Sequence, residues 1–181
     1  NSASGKCYSG QNNATVDCDF TITGIKDTTK NMIAETTYYL GGWNSSSVYP
    51  NEIYEYERGT TVYTGRTTTP WTGKIALAYP SDYGYAADLN QCKQTLYDYD
   101  NSTCTSSNWM KAIIAPNYGW LLTPNSGSAI GAWLVLSSGN LYNYTADSAR
   151  GAVPVLSLSS ELGIKSGLGD GSSSNPYKLS A

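Results

Sequence analysis

The sequence contains no histidine. That removes Ser-His-Asp and Cys-His catalytic systems, histidine metal sites and imidazole proton shuttles. Charge is also scarce: Asp, Glu, Lys and Arg together make up 14% of the chain, against about 25% in an ordinary soluble domain. The net charge is −3, from 11 basic and 14 acidic residues. So few cations cannot neutralise a run of phosphates, and no nucleic-acid partner is expected. No apolar run reaches the ~18 residues that a membrane-crossing helix requires, so no membrane contact by this segment is expected. Phe occurs once and Met twice.

What fills the space is neutral and polar. There are 23 Ser, 19 Thr and 14 Asn, alongside 16 Tyr and 5 Trp. Solubility then rests on hydrogen-bonding groups rather than charge. With no side chain whose ordinary pKa lies near neutrality, stability is expected to depend little on pH between about 6 and 8. The length, 181 residues, suits one domain able to bury a real core. The chain begins at Asn1 with no Met or signal segment, which reads as a processed piece of a longer product.

The four cysteines fall into two local pairs, Cys7 with Cys18 and Cys92 with Cys104. Each pair encloses a polar, loop-like interval. Of the three possible connectivities, this local pairing closes the shortest loops. Neither spacing fits zinc or thioredoxin-type chemistry, so the pairs read as disulfides formed in an oxidising, extracellular compartment. Four Asn-X-Ser/Thr triplets begin at Asn13, Asn44, Asn101 and Asn143 and mark exposed loops.

Patterning along the chain gives an α+β fold: short antiparallel strands, one or two helices and long ordered loops. Residues 1–26 read as a disulfide-closed lead-in, and residues 27–181 as the main domain, forming one compact unit with the lead-in. Ile25, Met32, Ile33, Thr36, Tyr39 and Leu40 follow a helical stripe that Gly41-Gly42 would stop, predicting a helix over 27–40. Residues 53–57 fit a strand or a helix equally. Lys74–Tyr79 reads as a strand with Ile75, Leu77 and Tyr79 on one face, Pro80–Gly84 as a turn, and 86–97 as a short helix. Ala132–Leu136 and Leu141–Thr145, joined through Gly139-Asn140, form the clearest hairpin. Val153–Leu158 is a further strand with Pro154 at its start, and Tyr177 with Leu179 adds a final short pairing.

An ordered set of motifs carries a resemblance. Tyr38-Tyr39-Leu40-Gly41-Gly42 is followed by Tyr54-Glu55-Tyr56-Glu57-Arg58-Gly59, Trp71-Thr72-Gly73-Lys74-Ile75-Ala76-Leu77 and Tyr79-Pro80-Ser81-Asp82-Tyr83-Gly84-Tyr85-Ala86. Then come Asn108-Trp109, Trp120-Leu121-Leu122-Thr123-Pro124, Ser138-Gly139, Val153-Pro154-Val155 and Gly169–Tyr177. Across nearly its whole length the chain resembles the C-terminal ectodomain of type IV pilin-like (prepilin-type) surface proteins of Gram-positive gut bacteria. That resemblance implies cell-surface display. It also implies assembly with other pilin subunits through an apolar helix upstream of Asn1. The tail from Trp120 to Val155 also resembles C-type-lectin-like domains, including the formylglycine-generating-enzyme branch, which implies a single C-type-lectin-like domain. Val153, not Arg, precedes Pro154, and Arg150 lies three positions before Val153. The catalytic cysteine pair of the enzyme branch has no counterpart. The likeness therefore brings a fold and no activity.

Candidate sites follow. Asn125, Ser126, Ser128, Asn140, Tyr142, Asn143 and Tyr144 combine amphipathic rings with small hydrogen-bonding groups, the composition of adaptable binding surfaces. They are the expected ligand-binding residues, for a host or surface glycan or a protein. Trp120 and Trp133 read as core. Glu55 and Glu57 invite a paired-carboxylate hydrolase reading; a solvated edge, or pairing with Arg58 or Arg66, explains them as well, and nothing in the sequence marks a raised pKa. Asp98-Tyr99-Asp100 mimics the start of a calcium loop, but Thr103 and Trp109 stand where Gly and Glu are needed. An irregular calcium site on Asp98, Asp100 or Asp170 stays open; no catalytic residue, metal or cofactor is assigned. The reading is a non-enzymatic, extracellular filament subunit or adhesin. A lectin-like adhesin independent of pili is the alternative, and a carboxylate hydrolase the last.

Overall fold

The computed structural model describes residues 25–45, 47–58, 70–165, 167–172 and 174–180. The expected Cys7–Cys18 disulfide, the lead-in and Arg66 lie outside the described residues. The architecture is α+β, with short antiparallel strands, short helices and long connections.

The helices are α1 (Asp27–Lys30), α2 (Pro50–Glu57), α3 (Pro80–Tyr85), α4 (Ser102–Ser107) and α5 (Lys111–Ile114). The strands are β1 (Thr36–Tyr39), β2 (Pro70–Gly73), β3 (Ile75–Leu77), β4 (Trp120–Pro124), β5 (Gly131–Val135), β6 (Leu141–Thr145), β7 (Pro154–Leu156), β8 (Gly163–Ile164) and β9 (Leu179–Ser180). β4, β5 and β6 form a three-stranded antiparallel sheet, while β1–β2, β3–β7 and β8–β9 are two-stranded. The hairpin forms as its sequence predicts, with Val135 opposite Leu141 and Gly131 opposite Thr145. Gly139 takes the turn at φ 109°, a conformation costly for any residue with a Cβ.

The helix expected over 27–40 stops after one turn. Thr36-Thr37-Tyr38-Tyr39, β-branched and aromatic, pairs instead with β2, and Ile33 bridges Leu158. Cross-strand pairing outweighs the helical stripe because such side chains lose χ1 freedom in a helix and pack well on a pleat. The helix expected over 86–97 is absent. Asp88 turns the chain by accepting the Asn90 N–H at 2.9 Å, a local bond that competes with helix, and Leu96–Asp98 makes a single 3₁₀ turn. On β3 it is Ala76 that is buried, while Ile75 and Leu77 are half-buried. Residues 80–84, expected as a turn, lie in α3.

α2 and α3 begin alike. Tyr49-Pro50-Asn51-Glu52 and Tyr79-Pro80-Ser81-Asp82 each place Pro in the first turn and an acid at the third helical position. Pro has no N–H to leave unpaired there, and the acid folds back on the preceding amide: Glu52 accepts the Tyr49 N–H at 2.7 Å and Asp82 the Tyr79 N–H at 2.9 Å. The two helices pack closely at Gly84, where a Cβ would stand 2.6 Å from the Pro50 ring.

The main core gathers Tyr83 and Leu96, Tyr99, Ile114, and Trp133 with Leu141 from the sheet. Cys92 and Cys104 are bonded to each other inside it. Trp133 is fully buried, as its sequence context implied, whereas Trp120 is half-buried. The buried tyrosine hydroxyls of this core are satisfied: Tyr83 donates to the Gly139 carbonyl at 2.6 Å and Tyr99 to the Gly84 carbonyl at 3.1 Å.

Candidate functional site

The principal cleft has a volume of about 560 Å³ and is lined by β1, β7, the α2–α3 junction and the Trp109–Met110 segment. That size falls in the range of small-ligand sites. At the α2–α3 junction Arg58 pairs with Asp82. The Arg58 guanidinium also lies 4.1 Å from the Tyr79 ring centre and 5.1 Å from that of Tyr54, a cation–π arrangement that fixes its plane. The Tyr79 hydroxyl accepts the Tyr39 N–H at 2.7 Å and donates to the Tyr39 carbonyl at 3.1 Å. It thereby closes the outer edge of β1, and burial pushes the Tyr79 phenol up to about 12.

Behind this pair lies Glu57, 1% exposed. One oxygen accepts the Thr123 hydroxyl at 2.8 Å and the other the Ser81 N–H at 3.1 Å. Burial pushes its carboxyl up from near 4.5 to about 7; the Ser81 and Thr123 donors and the Arg58 charge pull in the opposite direction. The sequence does not mark this raised carboxyl, and the expectation of little pH dependence between 6 and 8 left it out. The cause is enclosure by α3 and β4, which lie 24 and 66 residues away in sequence.

Trp109 lines the cleft and is 66% exposed. Its backbone N–H donates to the Ala86 carbonyl at 3.3 Å, while its indole makes no hydrogen bond, ring pair or cation–π contact with a described residue. The segment is positioned by the buried Asn108, which donates to the Tyr83 carbonyl at 2.8 Å and accepts the Met110 and Lys111 N–H groups at 3.0 and 3.1 Å. Tyr85, 45% exposed, adds a second ring to the rim.

The sequence-predicted ligand residues lie elsewhere, along the β4–β6 sheet. Asn125 is buried and accepts the Gly127 N–H at 2.9 Å. Ser126 donates its N–H to the Trp43 carbonyl at 3.1 Å, and its hydroxyl is buried without a partner. Ser128 accepts the Ile130 N–H at 3.3 Å. At the opposite end of the hairpin, Asn140 accepts the Ser138 hydroxyl. On β6 itself Tyr142 and Tyr144 are 44% and 43% exposed, and Tyr144 lies under Arg150 at 5.1 Å. Asn143 uses its amide to hold the Tyr97 hydroxyl at 2.8 Å. Tyr144 thus shares a sheet end with Asn125–Ser128, because Ala132 pairs with both Pro124 and Tyr144, and Asn140 does not. Glu55 is exposed while Glu57 is buried, so the two do not form a pair. Asp98 accepts the Thr95 hydroxyl and Asp170 the Ser172 N–H; among the described residues no cluster of acids, cysteines or histidines could hold a metal. No helix among the described residues is long and apolar enough to cross a membrane.

Sequence reasoning passed over Trp109, Asp82 and the burial of Glu57. The one available signal was the repeated Tyr-Pro-X-acid start of α2 and α3. Compared with protein-family models, with curated proteins and with solved structures, the chain matches none.

Proposed function

We propose that the chain is a non-enzymatic, surface-displayed binding domain, part of a pilin-like filament subunit or adhesin, that takes a glycan or protein ligand in the α2–α3 cleft. The exposed Trp109 carries this reading. A tryptophan two-thirds exposed at the mouth of a cleft leaves a large apolar face wet, and its natural use is contact with a ligand. Arg58 and Asp82 supply planar donors and acceptors beside it. The neutral, hydroxyl-rich composition and the sequence resemblance to prepilin-type and C-type-lectin-like ectodomains support extracellular display. A hydrolytic reading is less well supported: Glu57 has both oxygens engaged and Asp82 is tied to Arg58.

A second reading puts the contact on β6, favoured by the exposed Tyr142 and Tyr144 rings. Glycan and peptide arrays probed with the wild type, Trp109→Ala and the double variant Tyr142→Ala/Tyr144→Ala separate the two. The cleft reading expects binding that weakens about tenfold or more in Trp109→Ala and persists in the double variant. Binding indifferent to Trp109→Ala overturns it, and loss confined to the double variant transfers the site to β6.

A further inference from the structure

Glu57 occupies a position that a purely structural carboxylate does not need. It sits at the C-terminal end of α2, bonded to the first turn of α3 and to the middle of β4. The adjacent residue, Arg58, is already paired with Asp82, so among the described residues the buried carboxyl has no cation of its own. The buried Ser81 hydroxyl stands close enough to the carboxyl to pull on its charge, without a hydrogen bond of normal geometry. A hydroxyl both donates and accepts. A protonated Glu57 can therefore donate to Ser81 while accepting from Thr123, and an ionised Glu57 can draw donors from Ser81 and Thr123 together. Both protonation states find partners in the same cage, so the group can change charge in place.

The charged and titratable groups around it are few. Arg58 follows on the same chain segment, Asp82 comes from α3, Tyr79 from the residue preceding α3, and Tyr38 from β1. Arg58 and Asp82 cancel, and the tyrosines are neutral below about pH 10. Among the residues lining the cleft, Glu57 alone then decides whether the net charge is zero or −1.

We propose that Glu57 is a proton-operated switch that sets the charge of the cleft and the firmness of the α2–α3–β4 junction behind it. Protonated, it leaves the cleft neutral and the junction firm. Ionised, it adds a buried negative charge beside Asp82 that competes for Arg58 and disfavours anionic ligands. The switch belongs to the fold and holds whatever ligand the cleft takes.

The sign of the linkage is definite. The folded state keeps the Glu57 proton up to about pH 7, while the unfolded chain releases it near 4.5. The stabilising contribution is thus full below 4.5 and lost as pH rises to 7. Chemical denaturation of the wild type and Glu57→Gln, compared at pH 4.5 and 7.5, reads this directly. Gln mimics the neutral acid, so the ratio of the two unfolding constants, wild type over variant, is expected to rise on the order of 100-fold between those pH values. A ratio independent of pH overturns the proposal. Should the variant fail to fold, infrared spectroscopy of the wild type decides: a protonated-carboxyl band that persists above pH 6 and disappears near 7 is expected, and its absence above pH 6 overturns the switch. Coupling to the cleft is read from the tryptophan emission difference between wild type and Trp109→Phe. That difference is expected to titrate with the same midpoint; a flat difference removes the cleft from the proposal.

Discussion

Two parts of the surface expose aromatic rings, and they are supported in opposite ways. On β6, Tyr142 leans on Tyr97, with ring centres 5.9 Å apart, and Tyr144 lies against Arg150. Each ring is propped by a neighbour, and Tyr97 stands edge-on to the buried Trp133 at 5.6 Å. At the cleft, the Trp109 ring pairs with no other ring and no cation among the described residues; its backbone is held, through Ala86 and the Asn108 network. Exposed rings that pack on one another finish a sheet face. An exposed ring without such a neighbour is presented to solvent, and this difference is what the cleft proposal rests on.

The largest test acts on the supported region. Trp133 has no exposed surface, donates its indole N–H to the Trp43 carbonyl at 3.0 Å and anchors Tyr97. Trp133→Ala is expected to cost about 4 kcal/mol, measured as a fall in the denaturation midpoint. Folded stabilities of whole domains are only about 5–15 kcal/mol, so such a variant sits near the edge of folding. A cost below about 1 kcal/mol would remove the physical basis for treating the β6 rings as the finish of a core.

Next comes the disulfide, which ties the loop before α4 to the core. Opening it with Cys92→Ser/Cys104→Ser is expected to cost about 3 kcal/mol, through the entropy returned to the unfolded chain. The loss is expected in the variant and, equally, in wild type under reducing denaturation. Asn108→Ala follows at about 2 kcal/mol, since it strands the Tyr83 carbonyl and the Met110 N–H in a buried place. It bears on the comparison more sharply than the disulfide does, because it should loosen the presentation of Trp109. Hydrogen exchange is expected to rise at Met110 and Lys111 and to stay unchanged along β5 and β6.

The same contrast explains what could be read in advance. The hairpin was legible because period-2 alternation and a Gly-Asn turn are local signals; so was the Cys92–Cys104 bond, enclosed by a short polar interval. The helix predicted over 27–40 failed because β1 exists only through its pairing with β2, some 34 residues on, and no local period reports such a partner. The cleft was not legible for the same reason. Glu57 meets Ser81 and Thr123 across long stretches of chain, and alternation on Tyr54–Glu57 says nothing about which acid will be enclosed. The predicted ligand residues were chosen by composition. Composition does not tell an Asn that builds a loop, as Asn125 does for Gly127, from one left open to a partner.

The smallest expected effect on stability is the most telling about function. Trp109→Ala removes a ring that is two-thirds exposed, so its cost should stay within about 0.5 kcal/mol. Tyr142→Ala removes a ring packed on Tyr97 and should cost more, about 1 kcal/mol, the worth of an aromatic pair plus some buried area. Denaturation of the two variants side by side checks the order. If Trp109→Ala proves the costlier, its ring is part of the packing after all, and the contrast between a presented and a supported aromatic disappears. If the order holds, a large apolar side chain is kept in water at little benefit to the fold, as the proposed binding role of the cleft expects.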